Sequence, residues 1–477
     1  MKHRHPFRRL GALACAAALA LSLLPAAAMA ANGPPPAVST NEGGIYNGNW
    51  AVTIHSYLYQ DGENLIRVEY DPGQKMYSSN TGETKVLRPE QIIVETYNSA
   101  FQLLESRTLE MELPIWGGFF AGEDYNFVIF GQENPSESDR VEVIRVVKYD
   151  KDWNRLGQAS LRGANTTVPF DAGSLRCDEY GGYLYVRTCH EMYASSDGLN
   201  HQANLTFSVR EEDMTITDSF SGVANTSAGY VSHSFNQFIL VDEDGNIVAL
   251  DHGDAYPRGA VLMRYRAKAG GNQFITTGGS YWSAVSESVT VRAWPGATGE
   301  NTTGAQITGL AETSTGYLSA YSEIGKGSSS RIGRDVSNVY LAYTDKDNFS
   351  QSGTTVRQLT NFSSSSTEYG SQPRLVTTGL NGGWILWDMA EKADNGYFYN
   401  TRELQYARYS ADGTVSDVRT AENAPLSNCQ PIYYNGQVVW YTTRESAPTF
   451  YTLDESGVTA HPTADSPAQP EPTSDPN

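Results

Sequence analysis

From about Asn47 to Asp454 the chain alternates between two textures. Short runs rich in Val, Ile, Tyr, Phe and Thr are separated by clusters of Gly, Asn, Asp and Ser. The runs include NFVIFGQ (126–132), VEVIRVVKYD (141–150), GYLYVRT (182–188), NQFILVD (236–242), NVYLAYTD (338–345), GWILWDM (383–389) and QVVWYTT (437–443). β-Branched and aromatic residues in runs of this length, bounded by turn formers, predict strands. Helical spacing is nearly absent. The best helical stretch, EYDPGQKMYSSNTGE, is broken by Pro72 and two glycines. The pattern predicts an all-β chain.

The turns organise these strands. YDKDWNRLG (149–157), VDEDGNIVAL (241–250), YSADGTVSD (409–417) and LDESGVTA (453–460) share one design. A strand ends, an Asp-rich turn with Gly or Asn follows, and a second strand leaves. Asp and Asn cap such turns, and Gly accepts the positive φ that tight hairpins require. Longer units surround the hairpins near 115–163, 168–222, 228–280, 305–361, 369–420 and 428–456, with one more at the N-terminal end. Four strands in each of about seven units suggest propeller blades, since one such sheet has two apolar faces that only neighbours in a ring can cover. Six or eight blades, or a pair of β-sandwiches, are the alternatives. The last unit reads as one strand short, so a strand from the N-terminal region is expected to complete it and close the ring. Together the Asp-Gly hairpins, TGGWILWD and LQYARYSADGTVS resemble the broad class of secreted bacterial β-propellers. That resemblance implies an architecture and no particular activity.

The ends have a different composition. MKHRHPFRR, an apolar run and AAAMA form the pattern of a signal peptide over residues 1–30, with cleavage expected after Ala30. Residues 31–46 read as a flexible leader, 47–456 as the propeller, and 457–477 as a disordered tail rich in Pro and Asp. The apolar run is shorter than the roughly 20 residues of a spanning helix and no second one follows, so membrane insertion is not expected. A secreted monomer, outside the cell or at its surface, is the expectation. The chain carries 34 Lys and Arg against 54 Asp and Glu, a net charge of −20. Losing Lys2, Arg4, Arg8 and Arg9 with the leader makes it still more acidic. Such a surface repels phosphate backbones and argues against nucleic acid as a partner. The mature cysteines Cys177, Cys189 and Cys429 are too few and too poorly spaced for a disulfide framework and are read as free, mostly buried thiols.

Chemistry-bearing residues are few. His190, His233 and His252 lie at strand ends, with Asp254 and Arg258 close to the last in LDHGDAYPRG. Imidazole, carboxylate and guanidinium around one funnel would suit acid–base or group-transfer work, although strand-end histidines are more often structural. The turns DKDWN and DEDGN place Asp150, Asp152, Asp242 and Asp244 at the alternate positions that short calcium loops use. Hairpin caps give the same letters without metal, and no cofactor is firmly implied. Trp116, Tyr281, Trp282 and Trp294 sit in Gly-rich contexts and, if exposed, would offer flat faces to a glycan or peptide. No nucleophile elbow and no phosphate-binding Gly loop is present. The composition therefore favours an extracellular binding module for glycan or protein ligands. The alternatives are a hydrolase, lyase or group transferase with a His/Asp/Arg funnel, and a passive spacer.

Overall fold

The computed structural model describes residues 51–77, 84–171, 173–226, 229–231, 234–254, 256–265, 287–300, 302–326, 329–444 and 447–463. His233, Tyr281 and Trp282 lie outside them. No α-helix occurs among the described residues, and no helix there is long and apolar enough to cross a membrane.

The strands form seven antiparallel blades whose order in each sheet follows the chain. Their innermost strands are Ser56–Asp61, Ile115–Ala121, Arg176–Tyr180, Ser234–Val241, Ala305–Glu312, Glu368–Thr377 and Ile432–Tyr434. Each packs beside the innermost strand of the next blade, the first meeting the second through the Tyr57 and Phe119 rings at 5.6 Å, and the seventh lies against the first. Blade 3 departs from the four-stranded plan. Its inner edge is shared by Thr166–Pro169 and Arg176–Tyr180, which pair with opposite ends of the long strand Tyr183–Ala194.

Alternation along a strand explains the uniformly apolar runs. Successive side chains of a strand point to opposite faces. In Asn126–Gly131, Phe127 and Ile129 join a cluster with blade 3, while Val128 and Phe130 join one with blade 1. Further clusters bridge blades 3 and 4, 4 and 5, 5 and 6, 6 and 7, and 7 and 1. Neither face of Asn126–Gly131, Ile247–Gly253 or Gly316–Glu323 meets water, so no exposed phase interrupts these runs. Each large side chain buried this way contributes about 1.5–3 kcal/mol.

The hairpin turns form as their residues predict. Gly181 and Gly182, with φ of 60° and 80°, make the tight turn between Tyr180 and Tyr183. In DKDWN the left-handed position falls to Trp153, φ 65°, which stacks against Phe119 at 5.7 Å.

Ring closure differs from the expectation. Blade 7 draws all four strands from its own stretch, ending with Gly457–Pro462 paired to Ala447–Asp454. The sheet thus runs past 456, because the turn capped by Asp454, which accepts Ser456 N–H at 2.8 Å, returns the chain as an outer strand. Blade 1 keeps its four strands as well. The two blades meet by side-chain packing: Tyr97 contacts Phe450 at 4.8 Å, and the Tyr434 hydroxyl donates to the Glu63 carbonyl at 2.6 Å. The Asn428 side-chain oxygen accepts the His55 N–H at 2.5 Å.

Candidate functional site: the axial cavity

Polar side chains on innermost strands meet at the axis of the ring. There they line a cavity of about 350 Å³ to which all seven blades contribute. Blades 1, 2 and 4 supply aromatic faces from Tyr57, Phe119 and Phe238. Asn236, Gln306, Gln372, Asn428 and Gln430 supply amides. Arg176 and Arg374 supply two guanidinium groups, and no Asp or Glu is among the lining residues.

Backbone irregularity places these groups. The innermost strands of blades 2, 4, 5 and 6 slip register at Trp116/Gly118, Ser234/Gln237, Ile307/Gly309 and Ser371/Arg374. Each slip lies beside lining residues, and in blade 3 the inner edge is interrupted between Pro169 and Arg176. A bulge re-aims a side chain that would otherwise face a neighbouring blade. Gln372, inside the blade 6 slip, holds φ at 51°. A left-handed conformation in a non-glycine residue costs about 1–2 kcal/mol and persists only where its surroundings impose it.

Among the described residues the two arginines sit without counter-ions: neither forms an ion pair, and the Arg374 Nε has no hydrogen-bond partner. The carboxylate whose field reaches Arg374 is Asp388. It accepts the Leu426 N–H at 2.9 Å and the Asn400 amide at 3.3 Å instead. Arg176 lies over the Phe238 ring, 4.6 Å from its centre, and makes one long bond, 3.3 Å, to the Leu175 carbonyl. Burial, and then repulsion from Arg374, lowers its pKa to about 10.

Of the sequence-predicted histidines, His252 reaches this cavity. Its Nε2 pairs with the Thr303 hydroxyl at 2.8 Å, and its ring meets Trp294 edge-on at 4.6 Å. Burial pushes its pKa down to about 3, holding the imidazole neutral. His190 is elsewhere, on the second strand of blade 3, with Nδ1 2.6 Å from the Thr166 hydroxyl and its pKa likewise lowered by burial to about 3. Arg258 is spent on the loop 294–303. Its guanidinium donates to the carbonyls of Pro295 at 3.0 Å, Ala297 at 3.3 Å and Glu300 at 2.5 Å, and also to that of Thr302. The Asp254 carbonyl accepts the Gly299 N–H at 2.8 Å. Asp254 and Arg258 thus clamp a loop behind the cavity wall.

The other candidates have local duties. Trp116 is buried, stacked on Tyr70 at 5.0 Å, and donates to the Ile54 carbonyl at 2.9 Å. Trp294 is buried and donates to Glu323 at 2.6 Å. Neither offers a surface face. Asp150 caps its turn through the Asn154 N–H at 2.8 Å and amide at 2.9 Å. Asp242 accepts the N–H groups of Asp244 and Asn246 and the Tyr317 hydroxyl. The carboxylates of Asp150 and Asp242 are therefore committed to their turns, and Asp152 and Asp244 lie within those same turns. Among the described residues no three His, Cys, Asp or Glu converge as metal ligands.

Histidines drew the sequence reading away from the arginines. A recurrent signal was nonetheless present: FNQFIL, AQITGL, SQPRLV and NCQPIYY each place an amide just before an inner strand's apolar run. SLRCDEY and SQPRLV add an arginine there. An Arg amid apolar letters in an inner strand was the mark that went unread.

No protein-family model matches the chain, and no curated protein matches it. Solved structures do align with it. One is cobalt-substituted Synechocystis ACO, 8% identical over 79% of this chain, with a TM-score of 0.33. A puromycin-hydrolyzing peptidase of Mycobacterium tuberculosis is 10% identical over 90% of this chain, with a TM-score of 0.41. A protein from Lactobacillus plantarum is 12% identical over 77% of this chain and 98% of its own, with a TM-score of 0.35. The chain spans 64% of the length of the first and 56% of the second.

Proposed function

We propose that this protein is an exported binding module that seats a small ligand in the axial cavity of its propeller. The observation that carries the reading is the cavity itself: about 350 Å³, walled by all seven blades, with amides and guanidinium groups beside aromatic faces. Ligand sites of this size combine apolar walls with a few placed polar groups. The leader pattern of residues 1–30 supports export. A catalytic reading finds less support in the same cavity. A general acid or base works best when it titrates near the working pH. Among the described lining residues, burial holds His252 neutral and pushes the Cys177 thiol and the Tyr57 phenol upward.

The test is native mass spectrometry of the purified protein with a panel of mono- and disaccharides and short peptides, run beside Ala51→Trp. Ala51 lines the cavity and is only partly buried, so the indole plugs the space and leaves the blades intact. Retention of a ligand by the parent protein and its loss in Ala51→Trp is the expected outcome. Equal retention by both moves binding to another surface. Turnover of a panel member would revive the enzyme.

A further inference from the structure

A folded protein seldom leaves two guanidinium groups facing one space with no anion between them. Placing like charges together in a low-dielectric enclosure raises the energy of both, and burying either without a partner adds a desolvation cost. Two fully buried arginines elsewhere obey that rule. Arg67 is held by Glu69 and Glu95 at 2.7 and 2.6 Å, and Arg187 by Asp251. At the axis the rule is broken in a protein with 54 acidic residues to choose from, since no Asp or Glu among the described residues lines the cavity.

The backbone around these arginines is also built at some cost. The blade 6 slip that carries Arg374 includes Gln372 at φ 51°, and blade 3 interrupts its inner edge just before Arg176. Irregular backbone of this kind collects where a side chain must be aimed at something. Resting on the cavity-binding reading above, we infer that the ligand is a small organic oxyanion whose charged group is gripped between Arg176 and Arg374. Guanidinium forks match planar carboxylates and tetrahedral phosphates or sulfates by paired N–H···O bonds. Beyond the charged end, Phe119 and Phe238 offer an apolar wall and Gln306 and Gln372 offer amides. The cavity volume suits a body no larger than about one or two sugar rings. An acidic sugar meets all three requirements.

The inference is tested by calorimetric titration of the whole protein with glucuronate, glucose, inorganic phosphate and inorganic sulfate. Glucuronate is expected to bind at least tenfold more tightly than glucose. Arg176→Met and Arg374→Met should each weaken it tenfold or more, and the double variant should abolish it. Competition by phosphate or sulfate supports the oxyanion grip and ranks carboxylate against the inorganic anions. Without ligand, both Met variants should melt no lower than the parent, since each removes an uncompensated charge. Equal binding of glucose and glucuronate, both lost in Ala51→Trp, leaves the cavity as a binding site and overturns the oxyanion. Binding unaffected by the double substitution overturns it too, as does failure of all four probes at millimolar concentration. A large drop in melting temperature in the Met variants would make the arginines structural and end the inference.

Discussion

Two pairs of arginines in this molecule, one buried and one half-buried, behave in opposite ways. Between blades, Arg187 reaches from blade 3 to Asp251 of blade 4, and Asn204 adds a bond to the same carboxylate at 2.7 Å. At the seam, Arg67 binds Glu69 and Glu95, and Tyr441 of blade 7 donates to Glu69 at 3.0 Å. Every charge there is answered by the chain itself. At the axis Arg176 and Arg374 have no such answer among the described residues. The difference separates residues paired within the ring from residues that, on the proposed reading, await a ligand.

The comparison breaks most visibly if a partner is removed from the interblade set. Asp251→Ala leaves Arg187 buried and unpaired and should cost about 3–5 kcal/mol, read as a lower midpoint in urea unfolding. A loss below 1 kcal/mol would dissolve the distinction between the two sets. The next effect is acid sensitivity. His190 and His252 stay neutral in the folded protein, with pKa values lowered to about 3, whereas unfolded histidine titrates near 6.5. Between those values the unfolded chain binds more protons, so stability falls as pH drops from about 6.5 toward 3. Each histidine should cost about 2 kcal/mol at pH 5. His252→Gln should flatten the stability profile between pH 6.5 and 4.5, and an unchanged slope would refute burial as the cause. Tyr441→Phe, which removes one bond across the seam, should cost about 1 kcal/mol. Smallest, and of opposite sign, is Arg374→Met, expected to leave the unliganded protein as stable as the parent or slightly more so.

Much of the ring was legible because its cause is local. The apolar runs and the Asp-Gly turns locate the hairpins, and the unit boundaries fall within a few residues of the blades. Blades 4 and 7 are the exceptions, running on to Ala293 and Pro462. The outer strand of blade 7 was half legible: LDESGVTA marks its turn, but GVTAHP, lying beside a Pro-rich tail, lacks the aliphatic density of an inner strand and reads as part of that tail. Its side chains are mostly solvent-facing, as an outermost strand allows. The cavity was not legible for a different reason. Which strand faces the axis follows from the topology, but which side chain of that strand turns inward depends on register slips such as Ser371/Arg374. Those are decided by packing between blades; the amides and arginines that open the inner strands mark the segments, but not which way each side chain turns. His190 shows the converse: a chemically suggestive residue whose hydroxyl partner, Thr166, comes from the neighbouring strand segment.

The seam between blades 7 and 1 has a consequence for how the chain could be rewired. Because no strand among the described residues crosses it, the step from Pro462 on an outer edge to Ser56 on an inner one is the same step that the chain makes between every other pair of blades. The ring therefore has no topologically privileged beginning. A circular permutant with those ends joined by a short linker and reopened between Leu109 and Ile115, at the junction of blades 1 and 2, would carry the same seven sheets and the same axial arginines.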